Sequence, residues 1–243
     1  MKMRALTGIL LFLAGVTTGA EKLEFWDFSN DPAGTSLDKL TNSGTMGSSW
    51  NWGAKSIVTD GEGHLLLKGG AGALTRKLPK KGKKNAMEKK DFYATPLAGK
   101  ETYVLELNLA SWKFSSMSAG DSMTLKAVDS EKKSVVLISI KALSDTKSVI
   151  SLFHQGGKFK AFKYSPERNR PLPIKVKFNF STGMVEYYIN ETKQCQLANF
   201  SGSNIAGLTF QLSGKWKIPS TSILIDSMGL STEDEILQPP TAQ

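Results

Sequence analysis

The segment Phe153-His154-Gln155-Gly156-Gly157-Lys158-Phe159-Lys160-Ala161-Phe162-Lys163-Tyr164 gathers an imidazole, a carboxamide, ammonium groups and a phenol in one short stretch. That set suits one reaction in particular. Taking the C5 proton from a uronate sugar calls for a cation or amide to neutralise the neighbouring carboxylate, and for a Tyr or His to accept the proton. In such a reaction Tyr164 or His154 would be the base and Lys160 the neutralising cation. The same residues also read as an ordinary hairpin, with a Gly-Gly turn and lysines along its outer side, because sites of this kind are loosely specified by sequence.

Flat aromatics beside polar groups offer a second chemistry, since sugar rings present apolar CH faces to whatever binds them. Trp50 and Trp52 stand two apart in Ser49-Trp50-Asn51-Trp52-Gly53, so an extended backbone puts both rings on one side. Trp112, followed by Lys113, and Trp216, between Lys215 and Lys217, are further stacking candidates. The competing role for any of them is to close an open end of the fold, because Trp is usually largely buried. Between Trp52 and Trp112 runs Lys80-Lys81-Gly82-Lys83-Lys84-Asn85-Ala86-Met87-Glu88-Lys89-Lys90, with six lysines against one carboxylate. It is a solvated loop, or else a clamp for a polyanion whose hold would fade as salt screens it.

Other chemistries fit poorly. Retaining glycosidases need two carboxylates close together on one face. Glu106 has only Asn108 for polar company on its strand face, and Glu186 runs with Tyr188 and Asn190. His64 and His154 lie far apart in sequence and show no zinc-ligand spacing. Cys195 is the single cysteine, so no intrachain disulfide forms. It follows Gln194 in a polar stretch and reads as a small strand-edge residue. Asn179, Asn190 and Asn199 each open an N-x-Ser/Thr triplet, which matters only in a host that glycosylates such sites.

The elements that must carry these groups are strands. Apolar residues recur with period two from Leu23 onward, and no window shows a helical stripe over three turns. Tyr103, Leu105, Leu107 and Leu109 alternate with Val104, Glu106 and Asn108; Ile174, Val176, Phe178 and Phe180 alternate with Lys175, Lys177 and Asn179. Val185, Tyr187 and Ile189 continue the pattern after Ser181-Thr182-Gly183, which makes residues 173–190 a hairpin. Further strands are expected near 23–29, 55–59, 64–68, 73–78, 91–95, 121–129, 134–143, 147–154, 158–164, 206–213 and 221–231. Ser36 to Leu40 could form a short helical turn. About fourteen short strands separated by glycine-rich turns predict an all-β, two-sheet antiparallel sandwich of jelly-roll type. Lys126, Lys175 and Lys177 fall on the polar parity of their strands, but the sequence does not say which sheet each joins.

Lys2 and Arg4 precede the apolar run Ala5 to Val16 and the small-residue exit Thr18-Gly19-Ala20, the layout of a signal peptide cut after Ala20. The run is too short to stay as a spanning anchor, and no later segment nears the ~18 apolar residues a membrane helix needs. The expected organisation is a signal peptide over 1–20, one domain over 21–231, and a disordered tail over 232–243 that carries Pro239-Pro240. The leader holds two of the 31 basic residues and none of the 22 acidic ones, which takes the net charge from +9 to +7. An exported chain of that sign meets acidic or sulfated glycans and anionic surfaces, rather than nucleic acid.

At both ends the residues become more specific. Phe25-Trp26-Asp27-Phe28, then Asp31-Pro32-Ala33-Gly34-Thr35-Ser36-Leu37, Asn42-Ser43-Gly44 and Asp60-Gly61-Glu62-Gly63-His64-Leu65, resembles the opening of exported bacterial concanavalin A-like (laminin-G-like) jelly-roll domains. Lys175-Val176-Lys177-Phe178-Asn179-Phe180-Ser181-Thr182-Gly183 leading into Val185-Glu186-Tyr187-Tyr188-Ile189-Asn190 resembles that family's hairpin. Ser222-Ile223-Leu224-Ile225-Asp226-Ser227-Met228-Gly229-Leu230 is similar to its closing strand, which pairs beside the first. The resemblance covers most of 23–231 and rests on fold signatures. It implies a curved sandwich whose concave sheet or edge loops hold a glycan, as in lectins, carbohydrate-binding modules, glycoside hydrolases and polysaccharide lyases. The 153–164 segment departs from the jelly-roll alginate-lyase pattern, since His and Gln are adjacent and no Arg-Glu strand exists. The resemblance would also set Asp27 and Asp226 side by side, where related sandwiches hold calcium. Two aspartates fall short of the six or more oxygens that ion takes, so the metal stays unassigned and no other cofactor is implied.

Three readings remain: a secreted module binding acidic or sulfated polysaccharide, a polysaccharide lyase acting on uronate-containing glycans, and a structural envelope or adhesion protein. No protein partner or oligomeric state is legible. If Trp50 and Trp52 form a stacking platform, replacing both by Ala abolishes retention on immobilised glycan and leaves the melting transition in place. A parallel loss of fold would make them core residues.

Overall fold

The computed structural model describes residues 21–45, 57–67, 102–112, 119–131, 133–144, 148–155, 160–164, 170–202, 204–213, 223–233 and 237. Its strands are β1 (Lys22–Trp26), β2 (Ile57–Thr59), β3 (Leu65–Leu67), β4 (Thr102–Trp112), β5 (Ser122–Val128), β6 (Ser134–Ala142), β7 (Ser148–His154), β8 (Lys160–Tyr164), β9 (Leu172–Asn179), β10 (Met184–Ile189), β11 (Thr192–Leu197), β12 (Gly207–Ser213) and β13 (Ile223–Glu233). A 3-10 turn, Leu37–Lys39, falls where Ser36 to Leu40 suggested one.

The strands form two antiparallel sheets. One has eight strands in the order β11-β10-β9-β4-β13-β3-β2, with β1 also paired to β13; the other has five, in the order β12-β5-β6-β7-β8. The chain is therefore an all-β, two-sheet sandwich of jelly-roll type, as its period-two patterning predicts. β1 and β13 lie side by side through Phe25 opposite Gly229 and Trp26 opposite Met228. The expected strands at 73–78 and 91–95 lie outside the described residues.

Alternation decides which side chains meet between the sheets. Tyr103, Leu105, Leu107 and Leu109 of β4 and Leu172, Ile174, Val176 and Phe178 of β9 point inward, against Met123, Leu125, Ile138, Ile140, Ile150 and Leu152 of the smaller sheet. Each such side chain contributes about 1.5–3 kcal/mol by leaving water, which lets a chain with one cysteine hold its sheets without covalent links.

Two turns and several irregularities, among them a bulge at Asp226, fix the register around β10 and β13. Asn179 Oδ1 accepts the amides of Ser181 (2.9 Å) and Thr182 (2.8 Å), and Gly183 closes that turn at φ 66°. Asn190 and Glu191 both take positive φ, 50° and 59°, and lead back into β11. Asp226 is the extra residue of a bulge in β13, between Ile225 opposite Leu109 and Ser227 opposite Asn108.

The structure extends the sequence reading in two places. β11 (Thr-Lys-Gln-Cys-Gln-Leu) is an edge strand whose polar composition hid it, and Cys195 sits on it as the strand-edge residue expected. β13 runs through Thr232 and Glu233, two residues into the stretch read as tail. Beyond it Leu237 is buried, and its amide donates to Thr102 Oγ1 (3.3 Å).

Gly229 marks where β1 approaches most closely. A Cβ there would lie 2.2 Å from the Glu24 carbonyl oxygen and 2.8 Å from the Phe25 Cα. Gly229→Ala should push β1 off β13 and cost about 1–3 kcal/mol, read as a lower denaturant midpoint at unchanged m-value.

Candidate functional site

The two outward faces of the sandwich differ in charge. The five strands of the smaller sheet carry not one Asp or Glu, and of their four lysines Lys126, Lys141 and Lys163 fall on the outward parity while Lys160 is in register with inward Leu152. Strand register arranges the outward residues of this sheet in three rows. Gln211, Thr124, Ser139, Ser151 and Ala161 are successive partners along the middle row. On one side lies the row Thr209, Lys126, Leu137 and Phe153; on the other, Ser122, Lys141 and Val149, with Lys163 opposite Val149 in register.

Thr124, Ser139 and Ser151 are short side chains between rows that carry longer ones, which makes a trough across β5, β6 and β7. Rows two residues to either side put its two walls ~13 Å from each other, and three strands give it a length of ~10 Å. The floor is hydroxylic: Thr124 Oγ1 and Ser139 Oγ are 2.9 Å apart, and Ser151 lies beside them at 5 % exposure. Leu137 and Phe153, partners across β6 and β7, supply an apolar strip next to Lys126. Such a surface can accept a flat polar chain through hydroxyls below, CH contacts at one edge and ammonium groups at both.

The outward face of the larger sheet neutralises itself. Lys177 pairs with Glu233 (2.6 Å), Lys193 with Glu186 (2.7 Å) and Lys175 with Glu191 (3.0 Å), while the Tyr188 hydroxyl donates to Glu186 (2.6 Å). Lys177 also stands 5.2 Å from the Tyr188 ring centroid, and Lys22 stands 3.9 Å from that of Phe25. Glu106 occupies the middle of this face, opposite Lys175 on β9 and Gly229 on β13. Burial raises its pKa, against the opposing pull of Lys175, Lys22 and an Asn108 hydrogen bond. Lys126 thus belongs to the smaller sheet, and Lys175 and Lys177 to the larger, a division the sequence left open.

His154 is placed differently from a solvent-facing base. It is fully buried between the sheets, with Nδ1 against the Tyr187 hydroxyl and Nε2 2.7 Å from Asn199 Oδ1. Burial lowers its pKa, partly offset by the Asn199 bond, and burial likewise raises that of Tyr187. Both nitrogens are engaged and the ring itself is buried on the inward side of β7, so a substrate proton on the outer face of the sheet is out of reach. Lys160 and Tyr164 stand in register opposite Leu152 and Ser148, and Trp112 ends β4 opposite Ile223; the side chains of these three lie outside the described residues. Trp50, Trp52, Trp216 and the lysine run at 80–90 also lie outside them.

Asp27 and Asp226 flank the β1–β13 pairing, but Asp27 is already engaged by Ser29 and Ser43. Burial would raise its pKa, and these hydrogen bonds outweigh that and hold it below its ordinary value. His64 pairs with Asp60 (2.9 Å). Among the described residues no three His, Cys, Asp or Glu side chains gather as a metal cage. No helix among those residues is long and apolar enough to cross a membrane.

The residues missed by sequence reasoning are Thr124, Leu137, Ser139, Ser151 and Phe153. Each looks like an ordinary strand position, and only cross-strand register puts them together.

No protein-family model matches the chain, and no curated protein matches its sequence. Solved structures do match its shape. The CBM2 module of the evolved Dit of Lactobacillus casei BL23 phage J-1 is 11% identical at TM-score 0.48, over 90% of this chain and 99% of that one. The β-glucanase of Bacillus licheniformis is 14% identical at TM-score 0.45, again over 90% and 99%. A galectin of Caenorhabditis elegans is 13% identical at TM-score 0.36, over 58% of this chain and 93% of that one.

Glu106 gives a signed prediction. A carboxyl whose folded pKa lies above its ordinary value of 4.5 stabilises the fold below that pH and loses this contribution as pH rises through the folded pKa. Glu106→Gln should therefore be more stable than the parent at neutral pH, with the gap closing near pH 4. Urea unfolding at several pH values reads it, and a destabilised variant at neutral pH would show that the Lys175 and Lys22 pairings outweigh burial.

Proposed function

We propose that this chain is an exported, non-catalytic jelly-roll module that binds an acidic or sulfated polysaccharide in the trough of the five-stranded sheet. The observation that carries this reading is charge segregation. Lys126 and Lys141 stand on strands without a carboxylate, one on each side of a hydroxyl floor and beside an apolar Leu137–Phe153 strip. The leader-like residues 1–20 support export, and the charge of +7 that remains after them supports an anionic ligand. The likeness of shape to lectin-type and glucan-acting sandwiches agrees with the reading and adds no weight to it.

Lys126 and Lys141 would hold the anionic edges of the chain, each contributing about 0.2–1 kcal/mol at this exposure. Ser139 would lie under it. The Debye length falls from about 10 Å at 0.1 M salt to about 3 Å at 1 M, so affinity should fall across that range.

Binding of the intact chain to sulfated and uronate polymers, beside neutral glucans, tests the proposal. Lys126→Gln with Lys141→Gln should weaken anionic-polymer binding about threefold to tenfold, and Ser139→Trp should block it, both with unchanged melting. Equal binding by all variants would remove the trough as the site. New absorbance from unsaturated uronate would show that the module is a lyase after all, with Lys160 and Tyr164 as the residues to replace next.

A further inference from the structure

One buried cluster has no part in the trough. The crossover from β11 to β12 carries the chain from one sheet to the other and is pinned at several points. The Phe200 amide donates to the Gly183 carbonyl (3.0 Å), the Ser201 amide to that of Gln155 (3.0 Å) and the Ala206 amide to that of Val128 (2.7 Å). His154, at the end of β7, bonds both to Asn199 of this crossover and to Tyr187 of β10, so a single ring spans the two sheets.

The partners fix which nitrogen carries the proton. A carboxamide oxygen only accepts, so Nε2 holds the hydrogen and donates it to Asn199 Oδ1. Nδ1 then keeps its lone pair and accepts the Tyr187 O–H. A second proton, on Nδ1, would face that hydroxyl donor to donor. Tyr187 is itself fully buried, so bulk solvent does not reach its hydrogen if the phenol turns.

Nor does a counter-charge stand nearby among the described residues. The ring lies 5.9 Å from that of Tyr187 and 6.4 Å from that of Phe200, with Val136 of β6 opposite it in register. The ionisable groups packed there are Tyr187 on β10 and Cys195, its partner on β11. Among the described residues no carboxylate or ammonium acts on the imidazole, and its burial disfavours the cation.

We infer that His154 is an acid-sensitive latch: neutral, it ties β7 to β10 through Tyr187 and to the crossover through Asn199; protonated, it keeps Asn199 but loses Tyr187, so the two sheets part at this end and the Phe200 and Ser201 amides that bridge them open. The inference concerns the hydrogen bonding of the interior and stands whatever the trough binds.

The test combines an NMR titration of His154 in the whole chain with hydrogen exchange at the Phe200 and Ser201 amides, corrected for intrinsic rates, at about pH 7.5 and about pH 5. His154 should titrate below 6.5. Opening at the two amides should rise on acidification toward a limit of about tenfold for each unit of that depression. His154→Gln, which cannot titrate, should flatten this dependence. Asn199→Asp sets a carboxylate against Nε2, which favours the cation and should reverse the sign, with more protection at the acid end. A wild-type His154 titrating at 6.5 or above, or one shared pH dependence in all three proteins, would overturn the latch. If neither variant folds, the wild-type titration and its matching exchange profile decide alone.

Discussion

The pairing of β13 with β4 is the constraint on which the remaining structure depends. β13 lies against β4 from Ile223 opposite Trp112 to Glu233 opposite Thr102, and its other edge takes β3 at Leu224 and Ile225 and β1 from Lys22 to Trp26. One strand thus joins the start of the domain, its end and its longest central strand. Because side chains alternate, this register decides which residues of β4 and β9 face the other sheet, and a slip of one position would turn Leu105 and Leu107 to solvent and Glu106 into the core. That register shifts at Ala110 of β4 and returns at Asp226 of β13, which turns a carboxylate out to water.

With the register fixed, the two outer faces receive different chemistry. The larger sheet meets solvent through ion pairs and lysine–aromatic contacts that are worth little individually but leave few unmatched charges. The smaller sheet has hydroxyls, two apolar side chains and, at Lys126 and Lys141, ammonium groups that pair with no carboxylate among the described residues. That contrast is the ground of the proposed polyanion binding.

The sequence made the architecture legible because period-two alternation is a local property. β4, β9, β10 and their hairpin can be read directly from Tyr103 to Leu109 and from Ile174 to Ile189. β11 escaped because Thr192 to Leu197 has no apolar alternation, and its pairing is imposed by the Asn190-Glu191 turn. The candidate site was far less legible. Ser139 and Ser151 are separated along the chain and meet only through the β6–β7 register, whereas the chemistry-rich 153–164 stretch drew attention to His154, whose ring is interior. A residue type suggests a reaction, but the face of the sheet decides whether a substrate can reach it.

The charge asymmetry also has a consequence for motion. The strands of one sheet carry four lysines and no acid, and those of the other set four lysines against Glu24, Glu106, Glu186, Asp226 and Glu233. On the described strands charge is therefore divided unequally through the thickness of the sandwich. If the proposed anionic ligand is a film or fibre, that inequality favours an approach that presents the smaller sheet first and leaves the salt-bridged sheet, with β1 and β13, toward the bulk solution.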